Sequence, residues 1–289
     1  MKKSIDRLVP DIYNLMCDKK VDDSTTLEEE AELFAKECKD IFMAVMQPDY
    51  DRSGKLRMSG IGKPMRQQYY GYNGVPGEEL EGATYIKFFY GYLCEAMLVS
   101  LARTAGHSVT GQQKEVEVGG IKGHIDGFVD DVLVDIKSAS TKSFKKFEKG
   151  TLHESDPFGY LAQIKGYAYA LEQTKFGWVA MDKTTGQLTT LIYDTEDKEA
   201  PYAEAIAYDI KEHIEDVKKS MGKPEAPPKC YQDEPVGKSG NRKLSMGCSF
   251  CPYKHTCWEN LREFQYSNYV EYLTVVDKTP RVPELPSNF

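Results

Sequence analysis

A chain of 289 residues is long enough to bury a substantial core, either as one large domain or as one core with additions. Its 40% hydrophobic and 28% charged residues are ordinary for a soluble globular protein, and a net charge of −8 means that any nucleic-acid surface must be concentrated locally against an acidic background. No apolar run approaches a membrane span, and "MKKSIDRLVPDIYNLM" lacks the apolar core and cleavage site of a signal peptide, so the expected compartment is cytoplasmic, with no membrane partner.

The apolar spacing of residues 24–47 predicts a helix that opens on a capping box of Thr25 and Glu28. A polar, Gly-rich stretch to about residue 80 reads as loops with one short turn of structure. From Thr84 to Ala105 a strongly apolar helix follows, ended by Gly106. Short strands are expected over about 113–138, turning at Gly119-Gly120 and Asp130-Asp131. Asp156-Pro157 reads as the N-cap and first position of a helix running to about Gln173, and two strands then flank Thr185-Gly186. A charged helix over about 197–219 and a Pro-rich stretch lead to a cluster of cysteines. This order predicts an α/β core with a mixed central sheet flanked by helices, residues 81–222. A helical N-terminal region, 1–80, precedes it and a C-terminal metal-binding segment, 223–289, follows.

The segment "GHIDGFVDDVLVDIKSAS" carries charge where apolar side chains would pack better. Side chains alternate along a strand, so Asp135 and Lys137 share a face, with Ile136 turned to the core beside Val132 and Val134. Hairpin pairing brings Asp126 within reach of Asp135. Two adjacent carboxylates repel, and a divalent cation between them removes the conflict, with hard Mg²⁺ suited to oxygen ligands. Lys137 is then placed to orient or deprotonate a water, or to stabilise negative charge. Glu95 lies inside the apolar helix, where an unpaired carboxylate is costly, and a shared metal would give it a partner. The plain alternative is a solvated strand face of mixed charge.

Glu95, then "GHIDG", then "DIKSAS", resembles the PD-(D/E)XK nuclease superfamily, in particular its RecB-like branch with the phage-type exonucleases. That branch has a Gln-x-x-x-Tyr motif on the following helix, matched by Gln163 and Tyr167 in "YLAQIKGYAYAL". The resemblance covers about residues 56–260 and implies a restriction-endonuclease-like fold. Glu95, Asp126, Asp135 and the Ile136 carbonyl would hold Mg²⁺ or Mn²⁺, and Lys137 would activate the attacking water. Implied with it are linear DNA ends as substrate, a phage gene acting in a bacterial host, and recombination or DNA degradation as the setting. A homo-oligomer and a single-strand-annealing or replication partner also fit. CRISPR-associated or restriction-type nucleases are alternatives within the enzyme class. Outside it stands a non-catalytic DNA-binding protein built on a zinc module.

Downstream, "STKSFKKFEKG" sets Ser140, Lys142, Ser143, Lys145 and Lys146 beside the proposed site, suited to phosphate contact. "GIGKPMRQQYYGY" offers Lys63 and Arg66 among stackable tyrosines. His124 reads as a strand histidine, with ligation or DNA contact as the alternatives.

Cys230, Cys248, Cys251 and Cys257 form the other constellation, its C-x2-C-x5-C part a strong metal signal. Four thiolates suit zinc or an iron–sulfur cluster. The resemblance implies a 4Fe-4S cluster, although the family's first cysteine, upstream of the nuclease motifs, is replaced by Pro64 and Met65 here. Cys230 is the local substitute, and His255 is a substitute ligand if the metal is zinc. Cys17, Cys38 and Cys94 read as buried structural thiols, with Cys94 beside Glu95 as a further ligand candidate.

Overall fold

The computed structural model of the chain describes residues 3–19, 21, 24–47 and 54–286. Two compact units make it up, one of Met1–Arg52, Leu56–Gly62 and Leu80–Asp216, the other of Ser53–Lys55, Lys63–Glu79 and Val217–Phe289. In chain order the helices α1 (Leu8–Asp18), α2 (Ser24–Met46), α3 (Met65–Tyr72) and α4 (Gly82–Thr104) come first. Strands β1 (Val109–Thr110), β2 (Glu115–Val118), β3 (Ile121–His124), β4 (Gly127–Val129) and β5 (Val132–Ala139) follow. Then come α5 (Thr141–Glu148), α6 (Tyr160–Ala170), β6 (Lys175–Asp182), β7 (Leu188–Asp194) and α7 (Ile210–Met221).

The first unit is built on a five-stranded mixed sheet in the order β1-β4-β5-β6-β7. Only β5 and β6 pair in parallel, and the long crossover between them contains α5 and α6. One face packs Val134, Val179 and Met181 against Cys94, Leu98 and Ala102 of α4 and Leu8 and Ile12 of α1. On the other, Trp178 lies edge-on to Tyr193 and tilted against Phe147 of α5. Strands β2 and β3 form a separate hairpin.

The β4–β5 turn has both central residues left-handed, Asp130 at φ 50° and Asp131 at φ 68°, which matches the twist of a two-residue hairpin. Asp130 accepts the Ser108 N–H at 3.1 Å and meets His107 Nδ1 at 2.6 Å. Nε2 of the buried His107 lies 3.4 Å from Asp11 of α1, so one imidazole ties the N-terminal helix to the hairpin tip.

Several expectations need correction. Helix α6 starts at Tyr160, because Gly159 takes φ 77° as its N-cap; the Asp156 carboxylate still accepts the N–H groups of Gly159 and Leu161. Helix α7 starts at Ile210 and not near 197, since Pro201 and Asp209 interrupt the charged run; Asp209 accepts the Lys211 N–H at 2.7 Å. Helix α3 occupies a stretch read as loop. Cys17 is exposed and not buried. The Thr25 side chain lies outside the described residues.

The second unit adds β8 (Glu234–Pro235), β9 (Arg242–Lys243), the four-residue helices α8 (Met246–Ser249) and α9 (Lys254–Cys257), β10 (Arg262–Gln265) and β11 (Val270–Val275). Its antiparallel sheet, β10-β11-β9-β8, buries Leu244, Phe264 and Leu273. Among the described residues no helix is long and apolar enough to cross a membrane.

Candidate active site

In the first unit the sheet brings Asp126, Asp135 and Lys137 together. Strand β4 stops pairing with β5 at the Gly127↔Val134 register, so β5 runs on beyond it with an open edge. Asp126, just before β4, turns its carboxylate into that opening and accepts the Ile136 N–H at 2.6 Å. Asp135 is buried; one of its oxygens meets Lys137 Nζ at 2.6 Å and the other accepts from Gln163 Nε2 at 3.0 Å. Gln163 Nε2 also lies 3.4 Å from the Tyr167 hydroxyl, one turn further along α6. Val134 and Ile136 face the α4 side of the sheet, as the alternation of β5 requires.

Glu95, half-buried on α4, accepts from Gln113 Nε2 at 3.1 Å. Burial and the charge of Asp135 push its carboxyl up to about 7. Burial, followed by the charges of Asp135 and Glu95, also raises Asp126 well above the usual carboxylate range. Burial raises Asp135 against the pull of Lys137. Burial opposes the charge on Lys137, but Asp135 and Asp126 outweigh it and hold the ammonium protonated. Its Nζ also sits 4.9 Å from the centre of the Tyr160 ring.

Two members of this cluster escape sequence reasoning. Gln113 reaches Glu95 from a loop position with φ 53°, and no periodicity announces it. Tyr160 covers Lys137 only because α6 begins at that residue. His124 is exposed on β3, 3.8 Å from Glu115. Cys94 points into the apolar core and away from the carboxylates, which corrects its candidacy as a ligand.

Of the residues read as phosphate contacts, Ser140 caps α5, its hydroxyl accepting the Ser143 N–H, while Lys142 and Lys145 are exposed. Lys146 is engaged with Ser155, through the carbonyl at 2.7 Å and the hydroxyl at 3.1 Å. Lys63 and Arg66 belong to the second unit. There the Arg66 guanidinium donates to the Pro227 carbonyl at 2.5 Å and lies 5.2 Å from the Tyr70 ring centre.

The second unit gathers Cys230, Cys248, Cys251 and Cys257 around one cavity of about 30 Å³, walled also by Arg66, Tyr70 and Trp258. Burial pushes the Cys251 thiol up to about 11 and also raises Cys248. Among the described residues, buried Trp258 Nε1 and Ser245 Oγ find no hydrogen-bond partner. Both side chains lie near enough to Cys248 to favour its thiolate against the effect of burial. His255 turns elsewhere: its Nε2 lies 3.0 Å from both Glu78 and Glu263, so its place as a substitute metal ligand is corrected.

Among the described residues no three His, Cys, Asp or Glu side chains are drawn together tightly enough to enclose an ion. In the first unit the reason is visible, since each carboxylate is held by a protein donor: Gln113, Ile136 N–H, or Lys137 with Gln163.

The chain belongs to the PD-(D/E)XK nuclease superfamily, whose profile matches residues 75–258. Nucleases of this superfamily generally use Mg²⁺ or Mn²⁺. Similar solved structures include an alkaline exonuclease from Laribacter hongkongensis, 14% identical over 63% of this chain and 94% of that one, TM-score 0.32. Its complex with dAMP is 16% identical over 59% and 91%, TM-score 0.39. A phage-related exonuclease from Haemophilus somnus 129PT is 16% identical over 64% and 96%, TM-score 0.34. No curated protein matches the chain.

Proposed function

We propose that the protein is a Mg²⁺- or Mn²⁺-dependent deoxyribonuclease that hydrolyses phosphodiesters from the ends of linear DNA. We assign it to a phage, acting in recombination or degradation of DNA in a bacterial host. The observation that carries the chemistry is the convergence of Glu95, Asp126 and Asp135 on the Lys137 strand, three mutually repelling carboxylates in a member of this superfamily. An all-oxygen donor set of this kind fits a hard divalent ion.

The three carboxylates would hold the ion together with the Ile136 carbonyl, which faces the same open edge of β5 as the Ile136 N–H. When bound, the ion lowers the pKa of the attacking water and offsets charge on the phosphate. The protein's own groups do the rest. Lys137, kept protonated by Asp135 and Asp126, is suited to orient the water and to donate to a phosphate oxygen, and not to take a proton. Gln163 fixes the Asp135 carboxylate by donating to it, and Tyr167 packs beneath Gln163. Ser140, Lys142, Ser143, Lys145 and Lys146 would carry the DNA backbone.

The four cysteines would hold a structural 4Fe-4S cluster, their thiolates supported by Trp258 and Ser245. Zinc is the alternative for the same four thiolates.

Digestion of linear and closed-circular DNA with Mg²⁺ tests the reading, with wild type beside Asp135→Ala and Lys137→Ala. Loss of the linear form alone, abolished in both variants, is the expected result. Cutting of the circle would indicate a restriction-type endonuclease. Binding without digestion, in Mg²⁺ and in Mn²⁺, would leave a non-catalytic DNA-binding protein.

A further inference from the structure

Helix α4 carries Glu95 in its second half, and its first half is exposed on nearly every side. On the face that leads to Glu95 stand three aromatic rings: Tyr85 is 57% exposed, Phe88 51% and Tyr92 47%. Spacings of three, four and three residues from Tyr85 through Phe88 and Tyr92 to Glu95 keep all four on one helical face. Helix rise separates successive rings by about 4.5 and 6 Å along the axis, close to the step between nucleotides of an extended single strand. We propose that this aromatic stripe is a stacking platform for the unpaired bases of single-stranded DNA, delivering the strand to the carboxylates. The inference rests on the nuclease reading and adds the form of the substrate.

Three observations favour bases as the occupant. First, aromatic faces stack on any base without reading sequence, whereas an aliphatic surface does not. The exposed Ile86 lies about 100° round the helix from Tyr85, off the Glu95 face, so that face carries rings alone up to the carboxylate. Second, the stripe passes close to the end of β5. A Cβ on Gly91 would lie 3.5 Å from the Ser138 hydroxyl, so α4 crosses where β5 leads into α5. Rings for the bases and the exposed Lys142 and Lys145 for the phosphates therefore start from one place. Third, a side chain half in water gains little from its neighbours, and the Tyr85–Phe88 edge contact at 6.4 Å is the only ring pair formed within the stripe among the described residues. Exposed aromatic area in this continuous arrangement marks a binding surface.

The test is equilibrium binding in EDTA, followed by fluorescence anisotropy, of a labelled ten-nucleotide oligo-dT and of an abasic strand of the same length. Wild type should prefer oligo-dT. The triple variant Tyr85→Ala, Phe88→Ala, Tyr92→Ala should lose about tenfold per ring engaged on oligo-dT and little on the abasic strand. Tyr85→Phe, Phe88→Tyr and Tyr92→Phe together should bind as wild type does. Unchanged oligo-dT binding in the alanine variant overturns the proposal. So does a triple leucine variant that binds normally, because apolar area and not ring stacking would then be the cause. A patch that instead joins two copies would appear as a dimer in sedimentation, lost in the alanine variant with DNA binding intact, and would also overturn it. No cleavage enters this assay, so its failure is separable from failure of the nuclease reading. Digestion with no ring effect removes the platform alone, and a ring effect without digestion removes the nuclease alone.

Discussion

The two clusters of chemistry in this molecule are built in opposite ways. The carboxylate cluster stands on a strand paired with β6 from Leu133 to Ala139 and on two helices of eleven or more residues, and each acid already has a protein donor. The cysteine cluster hangs on two helices of four residues each and on loop backbone around a cavity. Short helices of that size have little stability of their own. The first arrangement has protein donors to hold its shape without an ion; the second, on the proposed reading, would depend on one.

That contrast predicts unequal responses to metal removal. Stripping metal from the cysteine cluster, or making Cys251→Ser, should abolish the cooperative melting of the second unit. Structural metal at a four-cysteine site supplies on the order of 10 kcal/mol. Calorimetry with parallel metal analysis checks this, and unaltered melting after complete metal loss would erase the contrast. EDTA acting on the carboxylate cluster should stop catalysis and leave the first unit folded.

Asp135→Asn should lower DNA hydrolysis by on the order of 10³-fold, measured as released nucleotide. The carboxamide keeps the Gln163 contact on one side and loses the charge that faces Lys137. A variant within tenfold of wild type would remove Asp135 from the site.

A smaller effect is expected at Gln113→Ala, about tenfold in kcat, because this residue orients Glu95 and touches no substrate. The variant should also move the pH profile upward, since the Gln113 hydrogen bond favours the charged Glu95. A change in rate with no shift in the profile would mean that Gln113 acts by packing.

The smallest effect concerns pH and stability without metal. Glu95 titrates near 7 in the folded chain against an ordinary value of 4.5, so between those values the folded state holds more protons than the unfolded one. Stability should therefore fall as pH rises through that window, and less so in Glu95→Gln. Saturating Mg²⁺ at pH 7.5 should restore it. Chemical denaturation at pH 5, 6 and 7 reads the slope, and a rising slope would contradict the assignment.

The carboxylate cluster was largely legible because alternation along β5 fixes which side chains share a face, and the Asp130-Asp131 turn fixes which strand lies opposite. What escaped depends on long-range placement. Two-residue strands such as β1, β8 and β9 carry no period, so the second sheet could not be seen. The start of α6 escapes local reading because Asp156 does accept N–H groups at the helix entrance, while the left-handed Gly159 postpones the helix by three residues. Neither the Gln113 reach to Glu95 nor the His255 pairing with Glu78 and Glu263 leaves a local signature.

Gly159 faces Gly62, and a Cβ on either would fall inside the backbone of the other. Two stretches of chain almost a hundred positions apart thus meet with no side chain between them, at the entrance to the helix that carries Gln163 and Tyr167. A saturation screen of this protein would score both glycines as intolerant as the acids. Ranking positions by tolerance alone would count as chemistry what is only clearance.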